Sequence, residues 1–176
     1  MQPLSGPVEA EKSRRGWWVL LIVTTLWLLG MTLRPGANLN HVNLIPFAEH
    51  SRALACLINS DCIYQRSSFW FLLINLVGNT LVFVPYGLAL AGVIYRGQPG
   101  RTIGQVALGG FLLSLTIELT QLTIPSRATD VDDLIFNTLG ATIGALLFCR
   151  FVQPKLIKPP ALKPPGNPQD KPGAVR

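Results

Sequence analysis

Four long apolar stretches, separated by shorter polar segments, dominate the hydrophobic pattern of this chain. They cover about residues 17–33, 69–95, 103–124 and 133–151. Each is close to the roughly 20 apolar residues that a helix needs to cross the hydrocarbon core of a bilayer. The pattern therefore predicts an all-α fold, a polytopic membrane protein built as a bundle of about four transmembrane helices.

Composition favours the same fold class. Hydrophobic residues make up 49% of the chain and charged residues only 14%, whereas about 25% of an ordinary soluble protein is charged. Such a composition excludes a disordered chain and argues against a soluble nucleic-acid binder. We therefore expect membrane lipids, and no nucleic acid, as partners, and the sequence leaves the oligomeric state open.

The distribution of basic residues predicts the orientation. Lys and Arg occur in the N-terminal segment 1–15, at Arg96 and Arg101 in the link between the second and third spans, and after the fourth span. The much longer loop 34–68 holds only three arginines. Because basic loops stay in the cytoplasm, we expect both termini to be cytoplasmic and loop 34–68 to be external.

Two parts of the chain differ in kind. Residues 16–152 contain all four spans and form the predicted transmembrane domain. Residues 153–176 contain seven prolines in 24 positions, with Lys, Gly and Gln between them. A segment of this composition cannot form a packed core, so it is interpreted as a disordered, Pro-rich cytoplasmic tail.

Polar side chains inside the spans are the candidate site. Five of them lie at similar depth on three spans: Asn75, Asn79, Glu118, Gln121 and Asn137. Four charged residues lie just outside, between the end of the third span and the start of the fourth: Arg127, Asp130, Asp132 and Asp133. Spacings of three or four residues place each span's polar groups on one helical face. We predict an outward-opening polar pocket, with Arg127 as counter-charge for Glu118 or for the aspartates. The alternative is that the amides are only interhelical hydrogen-bond partners.

Small residues and one proline indicate how the helices pack. Gly140 with Gly144, and Gly87 with Ala91, follow the small-xxx-small pattern of closely packed membrane helices. Pro85 lies inside the second span, where a missing backbone donor and a steric clash predict a kink.

The external loop contributes cysteines and a predicted short helix. Residues 48–59 are expected to form a helix on the membrane surface. Cys56 and Cys62 either form a disulfide in an oxidising exterior or remain two free thiols. The loop also holds other groups of the metal-ligating type: His41, Glu49, His50 and Asp61. No metal-ligand spacing links them, so neither a metal nor a cofactor is expected.

Several motifs, taken together, resemble the VanZ-like family over about residues 16–151. They are Asn43-Leu44-Ile45-Pro46-Phe47, Asn75-Leu76-Val77-Gly78-Asn79, Phe83-Val84-Pro85-Tyr86-Gly87, Ser114 with Glu118, Gln121 and Arg127, and the run from Asp130 to Gly140. The resemblance implies a protein of the bacterial cytoplasmic membrane whose family namesake is associated with low-level teicoplanin resistance. It supplies no catalytic residue.

Four functions remain open at the level of sequence. In the first, the pocket binds a lipid headgroup, a lipid-linked cell-wall intermediate or a lipophilic glycopeptide at the cell envelope. The second is an intramembrane enzyme on a lipid-linked substrate, with Glu118 as general acid or base, although no nucleophile–base pair is visible. The third is a transporter, which the nearly apolar inner half of the third span disfavours. The fourth is a structural membrane subunit.

Overall fold

The computed structural model describes residues 7–33, 42–124 and 129–153, with side chains placed from residue 14 onward. Its helices are α1 (Pro7–Thr32), α2 (Ala48–Ile58), α3 (Gln65–Leu72), α4 (Asn79–Ile94), α5 (Pro99–Gln121) and α6 (Val131–Leu147). Two π-helical segments, Leu73–Gly78 and Phe148–Val152, join α3 to α4 and extend α6. Two short strands, β1 (Val42–Asn43) and β2 (Thr129–Asp130), pair in parallel.

Four of these helical segments are long and apolar enough to cross a membrane. In the described part of the chain they are Arg14–Thr32, Gln65–Ile94, Pro99–Gln121 and Val131–Val152. They match the four apolar stretches of the sequence to within a few residues at each end. The predicted fold class, an all-α bundle of about four transmembrane helices, is thus confirmed. The expected short helix of the loop is present as α2, and the Pro-rich tail from residue 154 lies outside the described residues.

The closest packing is between α4 and α6, where glycines let the two backbones meet. A Cβ built on Gly140 would lie 2.0 Å from the carbonyl oxygen of Thr80, and one on Gly87 would lie 2.0 Å from that of Ala141. Gly144 faces α4 in the same way. The three glycines that the sequence singled out are therefore needed for close helix contact.

The second span departs from α geometry at a π-helical segment, Leu73–Gly78. Such wide turns are frequent at functional sites, and this one contains Asn75. Pro85 lies further along, inside α4, and a kink there stays a prediction.

The first helix is attached at both ends of the bundle. At one end the Trp17 ring packs edge-on against Phe148, with ring centroids 5.4 Å apart. At the other end, Gln121 Nε2 donates a hydrogen bond of 2.8 Å to the carbonyl oxygen of Thr32. Thr32 is the last residue of α1, and the last carbonyls of a helix have no partner within the helix. The bond from Gln121 therefore pairs one of these carbonyls.

Candidate functional site at the start of the fourth span

The site begins with the run of acidic residues at the N-terminus of α6. Asp130 is the N-cap residue: its extended backbone precedes the helix, and its side chain accepts a hydrogen bond from the backbone N–H of Asp132. Asp132 and Asp133 occupy the first turn. The helix dipole favours negative charge at this end. Local sequence alone therefore accounts for three carboxylates gathered at one point.

The parallel strand pair brings the first loop onto this helix start. Val42 pairs with Thr129 and Asn43 with Asp130. The Asn43 side chain is buried, and its Nδ2 donates to Asp130 Oδ1 over 3.1 Å. Loop 34–68 is thus not a free external segment in its described part, because it is anchored to the fourth span by backbone and side chain.

Asp132 is the most enclosed carboxylate of the group, with none of its surface exposed. Its Oδ1 accepts the backbone N–H of Phe47 at 2.8 Å, and its Oδ2 lies 2.7 Å from Nδ1 of His50. An ionised carboxylate only accepts, so Nδ1 is the donor and the imidazole presents Nε2 on its far side. Phe47 adopts a left-handed backbone with φ of 59°, which for a bulky side chain signals strain held by its surroundings.

Aromatic rings hold the imidazole in place. The His50 ring centroid lies 5.3 Å from that of Phe71 and 5.2 Å from that of Phe136. Phe47 packs edge-on against Phe136 as well. Together with the bond to Asp132, these contacts fix the orientation of the ring.

The third span contributes Glu118, which is 6% exposed. Its Oε2 accepts the backbone N–H of Asp130 at 3.2 Å, so the carboxylate supports the very residue that caps α6. Gln121, one turn further along α5, bonds to Thr32 instead. The structure therefore joins Glu118 to the acidic run and directs Gln121 toward α1.

The asparagines divide among different partners. Asn79 Nδ2 donates to Asp133 Oδ1 and so ties the second span to the fourth. Asn137 Nδ2 donates to Ser114 Oγ over 2.9 Å, one turn deeper than Glu118. Asn75 donates to the carbonyl oxygen of Phe71 in its own helix. Two of the three thus link spans, as the interhelical alternative expects.

Arg127, the expected counter-charge of the pocket, and His41 of the loop lie outside the described residues. Among the described residues, no group of three or more His, Cys, Asp or Glu side chains is placed to hold a metal ion. Cys56 and Cys62 form a disulfide with Cα atoms 5.4 Å apart, which closes the turn between α2 and α3.

Described residues line cavities of about 400–450 Å³ at three places around the bundle. One, of about 430 Å³, is an apolar groove beside His50. A second adjoins the disulfide, and a third lies at the opposite end of the bundle among Arg14, Arg96 and Arg101. None of these three is lined by the nine residues predicted to form a pocket. The described residues of that set each make a hydrogen bond to a backbone group, to one another or, in the case of Asn137, to the hydroxyl of Ser114.

Sequence reasoning missed four members of the site. Asn43, Phe47 and His50 all come from the loop, and Ser114 was left without a partner. The family resemblance pointed to part of this set, because the Asn43–Phe47 motif and Ser114 are among the features shared with the VanZ-like family. What the sequence could not supply was the pairing of His50 with Asp132, which are 82 residues apart.

Comparisons with known proteins agree with these features. A model of the VanZ/LLP1 family matches residues 17–153. The chain is 30% identical over 136 residues to Protein VanZ of Enterococcus faecium. This alignment covers 76% of the present chain and 72% of that protein. No solved structure matches the chain. With four helices long and apolar enough to cross a membrane, this chain is a multi-pass membrane protein, and it belongs to the VanZ/LLP1 family.

Proposed function

We propose that this protein lies in the bacterial cytoplasmic membrane with both termini inside, and that the acidic cluster at the start of α6 faces the outside. The acidic cluster comprises Glu118, Asp130, Asp132 and Asp133. There the partly exposed Asp130 and Asp133 contact the headgroup of a lipid, of a lipid-linked cell-wall intermediate or of a lipophilic glycopeptide, and the buried Asp132 and Glu118 hold the helix start in place. By that contact the protein alters susceptibility to teicoplanin, the antibiotic with which the namesake of the family is associated.

One observation carries the proposal: three spans and a loop converge on the same four carboxylates. Asn79 reaches Asp133 from the second span, Glu118 reaches Asp130 from the third, and Asn43 reaches Asp130 from the loop. Polar and ionisable groups within membrane spans are costly and mark functional sites by default. Acidic groups suit a cationic or polyhydroxyl ligand, because carboxylates accept hydrogen bonds from ammonium and hydroxyl donors.

The orientation rests on the basic residues at the other end of the bundle. Arg14, Arg96 and Arg101 border one cavity at the end of α4 and the start of α5. Arg101 and Glu118 are separated by most of α5, or roughly 25 Å along a helix. The positive-inside rule places the arginine end in the cytoplasm and hence the acidic cluster outside.

Teicoplanin susceptibility in a sensitive Gram-positive host tests the proposal. Empty vector, wild type, Glu118→Gln and Asp133→Asn are compared at matched membrane abundance, with Asp61→Ala as control because that exposed carboxylate lies outside the acidic cluster. Both amide variants keep the side-chain size and remove the charge. We expect wild type and the control to protect and both amide variants to lose protection. Equal protection by all four proteins would contradict a role for the carboxylates, and no protection by wild type would contradict the teicoplanin link.

A further inference from the structure

A cavity of about 400 Å³ lies where three of the four spans end on one side of the bundle. The spans Arg14–Thr32 and Pro99–Gln121 begin there, and the span Gln65–Ile94 ends there. The cavity is therefore at the depth where a bilayer changes from hydrocarbon to headgroups. Its volume is within the usual range for sites that bind small molecules.

The residues that line this cavity divide into a polar and an apolar group. The polar group is cationic and contains no acid: Arg14, Arg96, Gln98, Arg101, Thr102 and Gln105. The apolar group comes from α1 and the last turns of α4: Trp18, Leu90, Val93 and Ile94. The cavity thus combines three guanidinium groups with apolar helix surface, which suits an amphipathic ligand that carries a negative charge.

The three arginines come from different parts of the chain. Arg14 lies on α1, Arg96 in the link between α4 and α5, and Arg101 in the first turns of α5. Like charges that border one cavity repel each other, and a bound anion offsets that repulsion. Guanidinium groups bind phosphate oxygens through parallel N–H···O bonds. A phosphate group therefore matches the charge and the donors of these walls.

We infer that this cavity binds the phosphate headgroup of an anionic glycerophospholipid, whose acyl chains lie against α1 and α4. Leu90, Val93 and Ile94 belong to a membrane span, so acyl chains reach them at the depth of the cavity. Trp18 is 46% exposed, and tryptophan is enriched at the interface between hydrocarbon and water. Basic pockets between membrane helices are known sites for anionic headgroups.

This inference goes beyond the proposed function, because it concerns the end of the bundle opposite to the acidic cluster. It requires neither a particular orientation of the chain nor a resistance phenotype. Its test measures lipid binding to purified protein. A failure of teicoplanin protection and a failure of lipid binding are therefore separate results.

Native mass spectrometry of the full chain in a neutral detergent tests the inference. The protein is titrated with phosphatidylglycerol, which has a net negative charge, or with phosphatidylcholine of the same acyl chains, which has none. The apparent Kd of the first bound lipid is measured for each. We expect phosphatidylglycerol to bind at least about fivefold more tightly, the factor that corresponds to the attraction of a single arginine for an anionic lipid surface.

Three variants locate the binding site. Arg96→Gln combined with Arg101→Gln should weaken phosphatidylglycerol binding roughly 10–25-fold and leave phosphatidylcholine binding unchanged. Gln105→Glu adds a negative charge to the wall one turn from Arg101 and should weaken it roughly fivefold. The matched control is Arg150→Gln, which removes an exposed arginine from the same end of the bundle but outside the cavity, and should change the Kd less than about twofold. All four positions are exposed, so the unfolding midpoint should stay that of wild type.

Other results would overturn the inference. Equal affinity for the two lipids would contradict the need for negative charge. An equal loss in Arg150→Gln and in the cavity variants would show attraction to the whole basic end, without a site in the cavity. Inorganic phosphate in large excess, at constant ionic strength, tests a soluble source of the same chemistry. It should leave phosphatidylglycerol bound because it makes no apolar contacts, and displacement of the lipid would identify a soluble anion as the ligand.

Discussion

The two ends of this bundle handle charge in opposite ways. At one end Asp132, Glu118 and Asn137 are buried and each makes a hydrogen bond to another segment of the chain. At the other end Arg96 and Arg101 are exposed and border an open cavity. A buried charge requires partners in fixed positions, whereas an exposed one is solvated wherever it stands. Charge at the acidic end is therefore part of the fold, whereas the exposed charge of Arg96 and Arg101 is not held by the fold in this way.

The largest effect should come from Asp132→Ala. The change leaves His50 Nδ1 and the Phe47 N–H buried without their acceptor. Each buried donor left without an acceptor costs about 1–3 kcal/mol, and this change leaves two. Thermal unfolding in detergent, followed by loss of monodisperse protein, should show a large fall in midpoint. A midpoint within a degree of wild type would contradict the view that this end is part of the fold.

The next largest loss of stability should come from the contact between α4 and α6, which runs between the two ends. Gly140→Ala would place a Cβ 2.0 Å from the Thr80 carbonyl oxygen, whereas Gly104→Ala on α5 meets no atom within 4 Å. Backbone cannot yield as a side chain does, so overpacking should cost up to about 3 kcal/mol. The control should be neutral or up to about 1 kcal/mol more stable. The same unfolding assay compares the pair, and equal midpoints would refute the close contact of α4 with α6.

Loss of the disulfide near the acidic end should lower the free energy of unfolding by a smaller amount. Cys56→Ser with Cys62→Ser releases a loop closed over a sequence separation of 6. The chain-entropy model gives about 2 kcal/mol for so short a loop. Reductant should lower the unfolding midpoint of wild type to that of the double variant and leave the double variant unchanged. A wild-type midpoint that reductant does not move would argue against the bond.

The smallest effect should come from the arginine end. Arg101→Gln removes an exposed charge, and we expect the free energy of unfolding to change by less than about 0.5 kcal/mol. A loss comparable to that of Asp132→Ala, in the same assay, would erase the difference between the two ends.

The spans and their packing could be predicted from sequence because both depend on local patterns. Apolar length identifies a membrane helix, and spaced glycines mark a helix contact. The gathering of Asp132, Asp133 and Glu118 at one end followed from depth along each span. The hydrogen-bond partners of these carboxylates could not be predicted in the same way. The loop that carries His50 is held near Asp132 by a strand pair of two residues, which is too short to produce a periodic pattern in the sequence. The pocket expected among these carboxylates stays a prediction, and the hydrogen bonds that hold Asp132 and Glu118 could not be foreseen from depth along a span.

The most direct test of the account is which side of the membrane the acidic end faces. In a Cys149→Ser background, Leu44→Cys lies at that end and Arg101→Cys at the other, both at exposed positions. Intact cells are treated with a membrane-impermeant maleimide, and labelling is compared with that in permeabilised cells. We predict that Leu44→Cys reacts in intact cells and Arg101→Cys only after permeabilisation. The reverse pattern would place the acidic cluster in the cytoplasm and contradict an action on the outer face of the envelope.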